Sequence, residues 1–145
     1  MPNDSRSAAA TPREVWEQAH QHVRAYDLDA FADMFAPDGV LELPFAPPGI
    51  PRRLNGREAI REFLAPAGEA ARSAGRRIKG YSSVVVHEAT DPEVVIVEFD
   101  LDGEIVATGE TYQLSYIQVL RVRNSRIVWM RDYMDPRVFA RSGDS

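Results

Sequence analysis

One carboxylic acid in this sequence stands where proton-transfer chemistry is possible: Asp132, between Met130 and Met134 in the run Ile127–Met134. The run is rich in β-branched and aromatic residues and predicts a strand. Strand side chains alternate, so Met130, Asp132 and Met134 share one face, and Trp129, Arg131 and Tyr133 share the other. A carboxyl held among methionines on a concave face loses hydration, and its pKa rises above the free value of about 3.9. That suits a general acid or base near neutral pH. The same placement also fits an inert buried acid bonded to the backbone or to a tyrosine.

Other side chains can assist. On Thr111–Arg123 one face carries Tyr112, Leu114, Tyr116, Gln118 and Leu120. Each tyrosine offers a hydroxyl at the end of an apolar ring, for orienting a substrate carbonyl or ether oxygen or simply for packing. Gln118 is costly to bury unpaired, so it bonds either a ligand or Tyr112. On Val94–Leu101 the face Val95, Val97, Phe99, Leu101 is wholly apolar, while Glu98 and Asp100 share the opposite one. Those two acids read either as a solvated strand end beside Asp102-Gly103 or as polar groups in a cavity, with Asp100 assisting Asp132. His20 can present a neutral imidazole to an acid across such a cavity. His22 and His87 lack comparable surroundings. The spacing of His20 and His22 splays their rings apart on a helix, so no metal site and no cofactor are expected.

These residues need elements to position them. Thr11-Pro12-Arg13-Glu14 carries a capping-box start, and a helix follows to about Tyr26 with Val15, Ala19, Val23 and Tyr26 at helical spacing. Trp16 and His20 flank that stripe. A shorter helix after Asp27 turns Leu28, Phe31, Met34 and Phe35 inward and stops at Pro37-Asp38-Gly39. A strand over Val40–Phe45, a proline-rich loop from Ala46 to Arg53 and a third helix from about Gly56 to Ala74 come next. Strands are then predicted over Ser82–His87, Val94–Leu101, Thr111–Arg123 and Ile127–Met134, with turns at Asp91-Pro92, Asp102-Gly103 and Asn124-Ser125. Helices followed by a meander imply an α+β fold with an antiparallel sheet.

The chain has 145 residues, 44% of them hydrophobic, and no cysteine. That is enough for one core without cross-links, and it removes disulfides, thiolate metal sites and cysteine nucleophiles. Residues 1–10 and 141–145 read as disordered tails around a single domain over 11–140. No apolar run resembles a membrane span or signal peptide, so the expected location is the cytoplasm. The net charge of −5 gives no general attraction to phosphate backbones. Arg52-Arg53 and Arg76-Arg77-Ile78-Lys79 are short and lack interleaved aromatics, so neither nucleic acid nor membrane is expected as a partner.

The segment Tyr112–Phe139, and Arg131-Asp132-Tyr133 in particular, resembles the C-terminal strands of limonene-1,2-epoxide hydrolases. With Phe35-Ala36-x-Asp38 and Asn55-Gly56-Arg57-Glu58-Ala59-Ile60, the chain resembles the wider SnoaL-like, ketosteroid-isomerase-like (nuclear-transport-factor-2-like) superfamily over nearly its whole domain. The resemblance implies a cone-shaped curved sheet packed with three helices around one cavity, a small hydrophobic ligand and a homodimer. It places the epoxide hydrolase acids on Asp132 and Asp100, their bridging arginine on Glu98, and the water-positioning tyrosine and asparagine on Leu41 and Leu43. The ketosteroid isomerase base falls on Leu43 and an oxyanion-hole acid on Gln118, while the acid of phenazine-biosynthesis relatives falls on Gln113. The fold hosts hydrolases, cyclases, isomerases, dehydratases and non-catalytic binders. The expected function is therefore acid–base catalysis of cyclisation, epoxide opening, isomerisation or dehydration, with non-catalytic binding as the alternative. The expected catalytic residues are Asp132, Asp100 and His20; the expected substrate contacts are Tyr112, Leu114, Tyr116, Gln118, Glu98, Met130, Met134 and Leu43.

Overall fold

The structure is a computed structural model that describes residues 9–137. Helix α1 (Pro12–Arg24) opens with the expected capping box: the Thr11 hydroxyl accepts from the Glu14 N–H at 3.1 Å, and the Glu14 carboxylate accepts from the Thr11 N–H at 2.9 Å. It buries Val15, Trp16, Ala19 and His20. The chain then turns sharply at Tyr26, whose φ of 56° is uncommon for a bulky residue. Helix α2 (Leu28–Asp33), capped by the Asp27 carboxylate, buries Phe31 and Ala32.

Strand β1 (Phe35–Glu42) starts earlier than the sequence pattern predicts. Phe35 belongs to it because Ile127 donates its N–H to the Met34 carbonyl at 2.9 Å and draws the segment onto the last strand. Pro37-Asp38-Gly39 form an irregularity inside the strand, and only glycine fits there: a Cβ on Gly39 would lie 2.8 Å from the Ile127 carbonyl oxygen. Strand β2 (Arg53–Asn55), unanticipated in the proline-rich segment, pairs antiparallel with β1. Helix α3 (Arg57–Ser73) has the expected boundaries, with Gly56 and Ala74 as its caps.

The remaining strands are β3 (Arg76–Glu88), β4 (Val94–Ile105), β5 (Glu110–Arg123) and β6 (Arg126–Met134). They form one six-stranded sheet in the order β2-β1-β6-β5-β4-β3. The α+β architecture is as expected, but the β1–β6 pair is parallel, so the sheet is mixed and not wholly antiparallel. Asn124 and Ser125, at φ 53° and 64°, make the predicted tight hairpin turn. Asp102-Gly103 does not turn. Both residues stay in β4 opposite Gln113 and Tyr112, and the chain reverses after Ile105, where the Gly109 N–H reaches the Ile105 carbonyl at 2.8 Å.

The helices cover the concave face of the sheet. Phe35, Val95, Val97, Leu120, Ile127 and Met130 are sealed beneath them in the core. No helix among the described residues is long and apolar enough to cross a membrane.

Candidate active site

A cavity of about 390 Å³ lies between the concave sheet face and the helices. It falls within the usual range for small-molecule sites. Leu43, Tyr112, Leu114, Tyr116, Gln118, Met130, Asp132, Met134 and His20 all line it. Strand alternation is what brings most of them there: β5 and β6 face Gln118 towards Asp132 and Tyr116 towards Met134 in register.

Asp132 is 8% exposed, and its Oδ1 has no hydrogen-bond partner. Desolvation pushes its pKa up to about 7, and a hydrogen bond from Gln118 opposes that rise. The Gln118 amide is oriented by its neighbours. Trp16 Nε1–H can only donate, and it lies 2.9 Å from Gln118 Oε1, so the oxygen faces Trp16 and the NH₂ group is left for Asp132. His20 Nε2 lies 2.8 Å from the same oxygen and must also donate. Burial lowers the His20 pKa to about 4, so the ring is neutral at pH 7 and carries its proton on Nε2. Its Nδ1 lies 3.3 Å from the Tyr81 hydroxyl, whose single proton is donated to the His20 carbonyl oxygen at 3.1 Å.

This geometry revises two expectations. Gln118 is held by Trp16, His20 and Asp132, not by Tyr112. His20 spends its one ring proton on the Gln118 oxygen, so it positions the Gln118–Asp132 pair and does not itself face a substrate with a free proton.

Tyr116 stacks on Phe99, with ring centroids 5.0 Å apart and planes within 5°. Burial, and after it the nearby Asp132 carboxyl, raise its pKa, so the phenol stays protonated and can donate. Leu41 and Leu43 complete the wall beside Met130 with apolar surface.

Glu98 and Asp100 lie outside the cavity. Val95, Val97, Phe99 and Leu101 are buried on one face of β4, and the intervening acids point to the opposite face of the sheet. There Glu98 meets His87 Nε2 at 2.7 Å, and Asp100 accepts from the Ser115 hydroxyl at 2.7 Å. The second acid of the epoxide hydrolase pair is thus not brought to Asp132. Gln113 is likewise outside, donating to Asp102 at 2.8 Å.

Lining residues that the sequence pattern did not assign to the cavity include Tyr26, Phe99 and Arg76. For Arg76 a signal existed. It shares a strand face with the buried Ile78, but β3 begins six residues before the predicted Ser82, so Arg76 falls outside the segment whose alternation the sequence pattern defines.

A curved sheet with three helices packed over an apolar cavity, with the buried Asp132 on its wall, defines the α+β architecture of this chain. The chain belongs to the SnoaL-like domain family, whose sequence profile matches residues 16–130. It is 37% identical over 110 residues to an uncharacterised PhzA/B-like protein of Pseudomonas aeruginosa, covering 76% of this chain and 74% of the relative. Among solved structures it is similar to a candidate isomerase of Bacillus subtilis, with a TM-score of 0.75 and 27% identity over 98% of this chain and 95% of the other. A candidate polyketide cyclase of Pseudomonas putida shares the fold at a TM-score of 0.67 and 18% identity, over 92% of this chain and 98% of that one.

Proposed function

We propose that this protein is a small-molecule isomerase or cyclase in which Asp132 moves a proton on a largely apolar substrate bearing a carbonyl group. The observation that carries this reading is the unpartnered, desolvated Oδ1 of Asp132 at the cavity wall. With a pKa near 7, the carboxylate can take a proton from the carbon next to the carbonyl. The C–H electron pair then passes into the enolate, whose oxygen accepts a hydrogen bond from the Tyr116 phenol. The protonated Asp132 returns the proton to another carbon, giving isomerisation. Alternatively the enolate carbon attacks a second carbonyl, and Asp132 protonates the resulting alkoxide, giving cyclisation. Epoxide opening is less well supported, because it needs an acid and a base together and Asp100 is elsewhere.

The test uses deuterium exchange in D₂O at the carbon beside the carbonyl of 2-tetralone. The protein should accelerate exchange over buffer, and Asp132→Asn should lower the rate by about 10²–10⁴ while folding is retained. Exchange at full rate in Asp132→Asn would sink the proposal.

A second reading, ligand binding without chemistry, draws support from the single acid in the cavity. It expects affinity for apolar molecules and no exchange above buffer. Under either reading we infer a homodimer, formed through the outer sheet face that carries Trp129, Arg131, Tyr133 and the exposed Ile117.

A further inference from the structure

The cavity has a second polar end. Tyr26, Arg76 and Tyr112 all line it, and they come from three different elements of the chain. Tyr112 and Gln118 point inward from the same strand, six positions apart, which separates their backbones by about 20 Å at roughly 3.3 Å per residue. The acid-bearing end and this tyrosine–arginine end are therefore opposite poles of one apolar chamber.

The second pole is built deliberately. Tyr26 hydrogen bonds to Tyr112, and Arg76 lies close enough to pull against the burial that raises the Tyr26 pKa. Tyr26 holds its ring there from a left-handed backbone conformation at φ 56°, which costs a bulky residue energy. Tyr112 lies flat across Gly103 of β4: a Cβ at that position would be 2.3 Å from the ring carbon Cζ. The cross-strand partner of this tyrosine is thus a residue that leaves room for it. A guanidinium presents five N–H donors in a fixed fork and a phenol adds a hydroxyl, which is the donor chemistry that recognises an anionic oxygen group.

We propose that this pole binds an anionic oxygen group, a carboxylate or an enolate of comparable charge, so that the ligand is an apolar acid bound with its charge at Arg76 and its reacting carbon at Asp132. The inference deepens the proposed proton-transfer function and rests on the same cavity. The polarity of the chamber gives the ligand one orientation. A carboxylate next to Asp132 would face a like charge whenever that acid is ionised, whereas at Arg76 it meets an opposite one.

Decanoate and decan-1-ol make the test, with affinities measured by titration calorimetry at pH 8, where both carboxyls are ionised. Hydrophobic transfer alone favours the alcohol, since the carboxylate is better hydrated. The expected result is decanoate bound at least tenfold more tightly than decan-1-ol. Arg76→Gln should weaken decanoate by at least tenfold and leave decan-1-ol within twofold, and Arg76→Lys should restore part of the preference. Asp132→Asn should keep the preference while losing ketone exchange. An alcohol bound as tightly as the acid, a preference that survives Arg76→Gln, or binding of neither probe would overturn the inference. The preference in the unsubstituted protein needs no variant, so a misfolded Arg76 substitution leaves the test intact. Loss of exchange activity with the anion preference intact would count against the proposed function alone.

Discussion

At the scale of single residues, Asp132 and His20 make opposing demands on pH. Asp132 has its pKa raised from 3.8 to about 7, so the folded state holds a proton that the unfolded chain has lost, and stability declines as pH rises through that range. His20 has its pKa lowered from 6.5 to about 4, so stability declines as pH falls through that range. Between roughly pH 4 and 6.5 the two slopes oppose each other. Asp132→Asn removes one of them, and its stability relative to the unsubstituted protein should rise with pH by up to about 1.4 kcal/mol per unit between pH 4 and 7. Urea denaturation at pH 5, 6, 7 and 8 measures this, and parallel curves for the two proteins would contradict it. Gln118→Leu strips partners from Trp16, His20 and Asp132 together, and should cost about 2–4 kcal/mol in the same assay. Asp132 was legible in the sequence because an acid between methionines breaks the apolar alternation of its face. The role of Gln118 was not, because the residues that orient it come from α1, about a hundred positions away, and no local pattern records that contact.

Elements were read well where their signals are local. Thr11-Pro12-Arg13-Glu14 and Gly56 mark helix starts through hydrogen bonds within a few residues, and both starts hold. The start of β1 and the whole of β2 depend on distant partners, and they appeared only in the structure. Asp102-Gly103 misled for a different reason: a glycine beside an acid is a turn signal, but Gly103 is there to admit the Tyr112 ring. Gly103→Ala should force that ring into the cavity or split β4 from β5. A loss of about 1–3 kcal/mol in thermal unfolding, together with weaker decanoate binding, is the expected outcome. Unchanged melting and affinity would show that the ring can move aside without consequence.

For the molecule as a whole, the inferred dimer is tested on the outer sheet face. Ile117 is 43% exposed, and beside it Arg131 stacks over the Trp129 ring at 4.5 Å while bonding Glu42 at 2.9 Å. Ile117→Glu puts a charge in the middle of this surface. Light scattering should report a dimer mass for the unsubstituted protein and half that mass for the variant; a monomer in both would remove the inferred dimer. The parallel pairing of β1 with β6 has a consequence during synthesis. Glu42 and Arg131 are 89 positions apart, so β1 waits for the final strand to leave the ribosome before its inner edge is satisfied. Until then the nascent chain carries an open edge and an unsealed chamber, and chaperone contact in that interval would shield both.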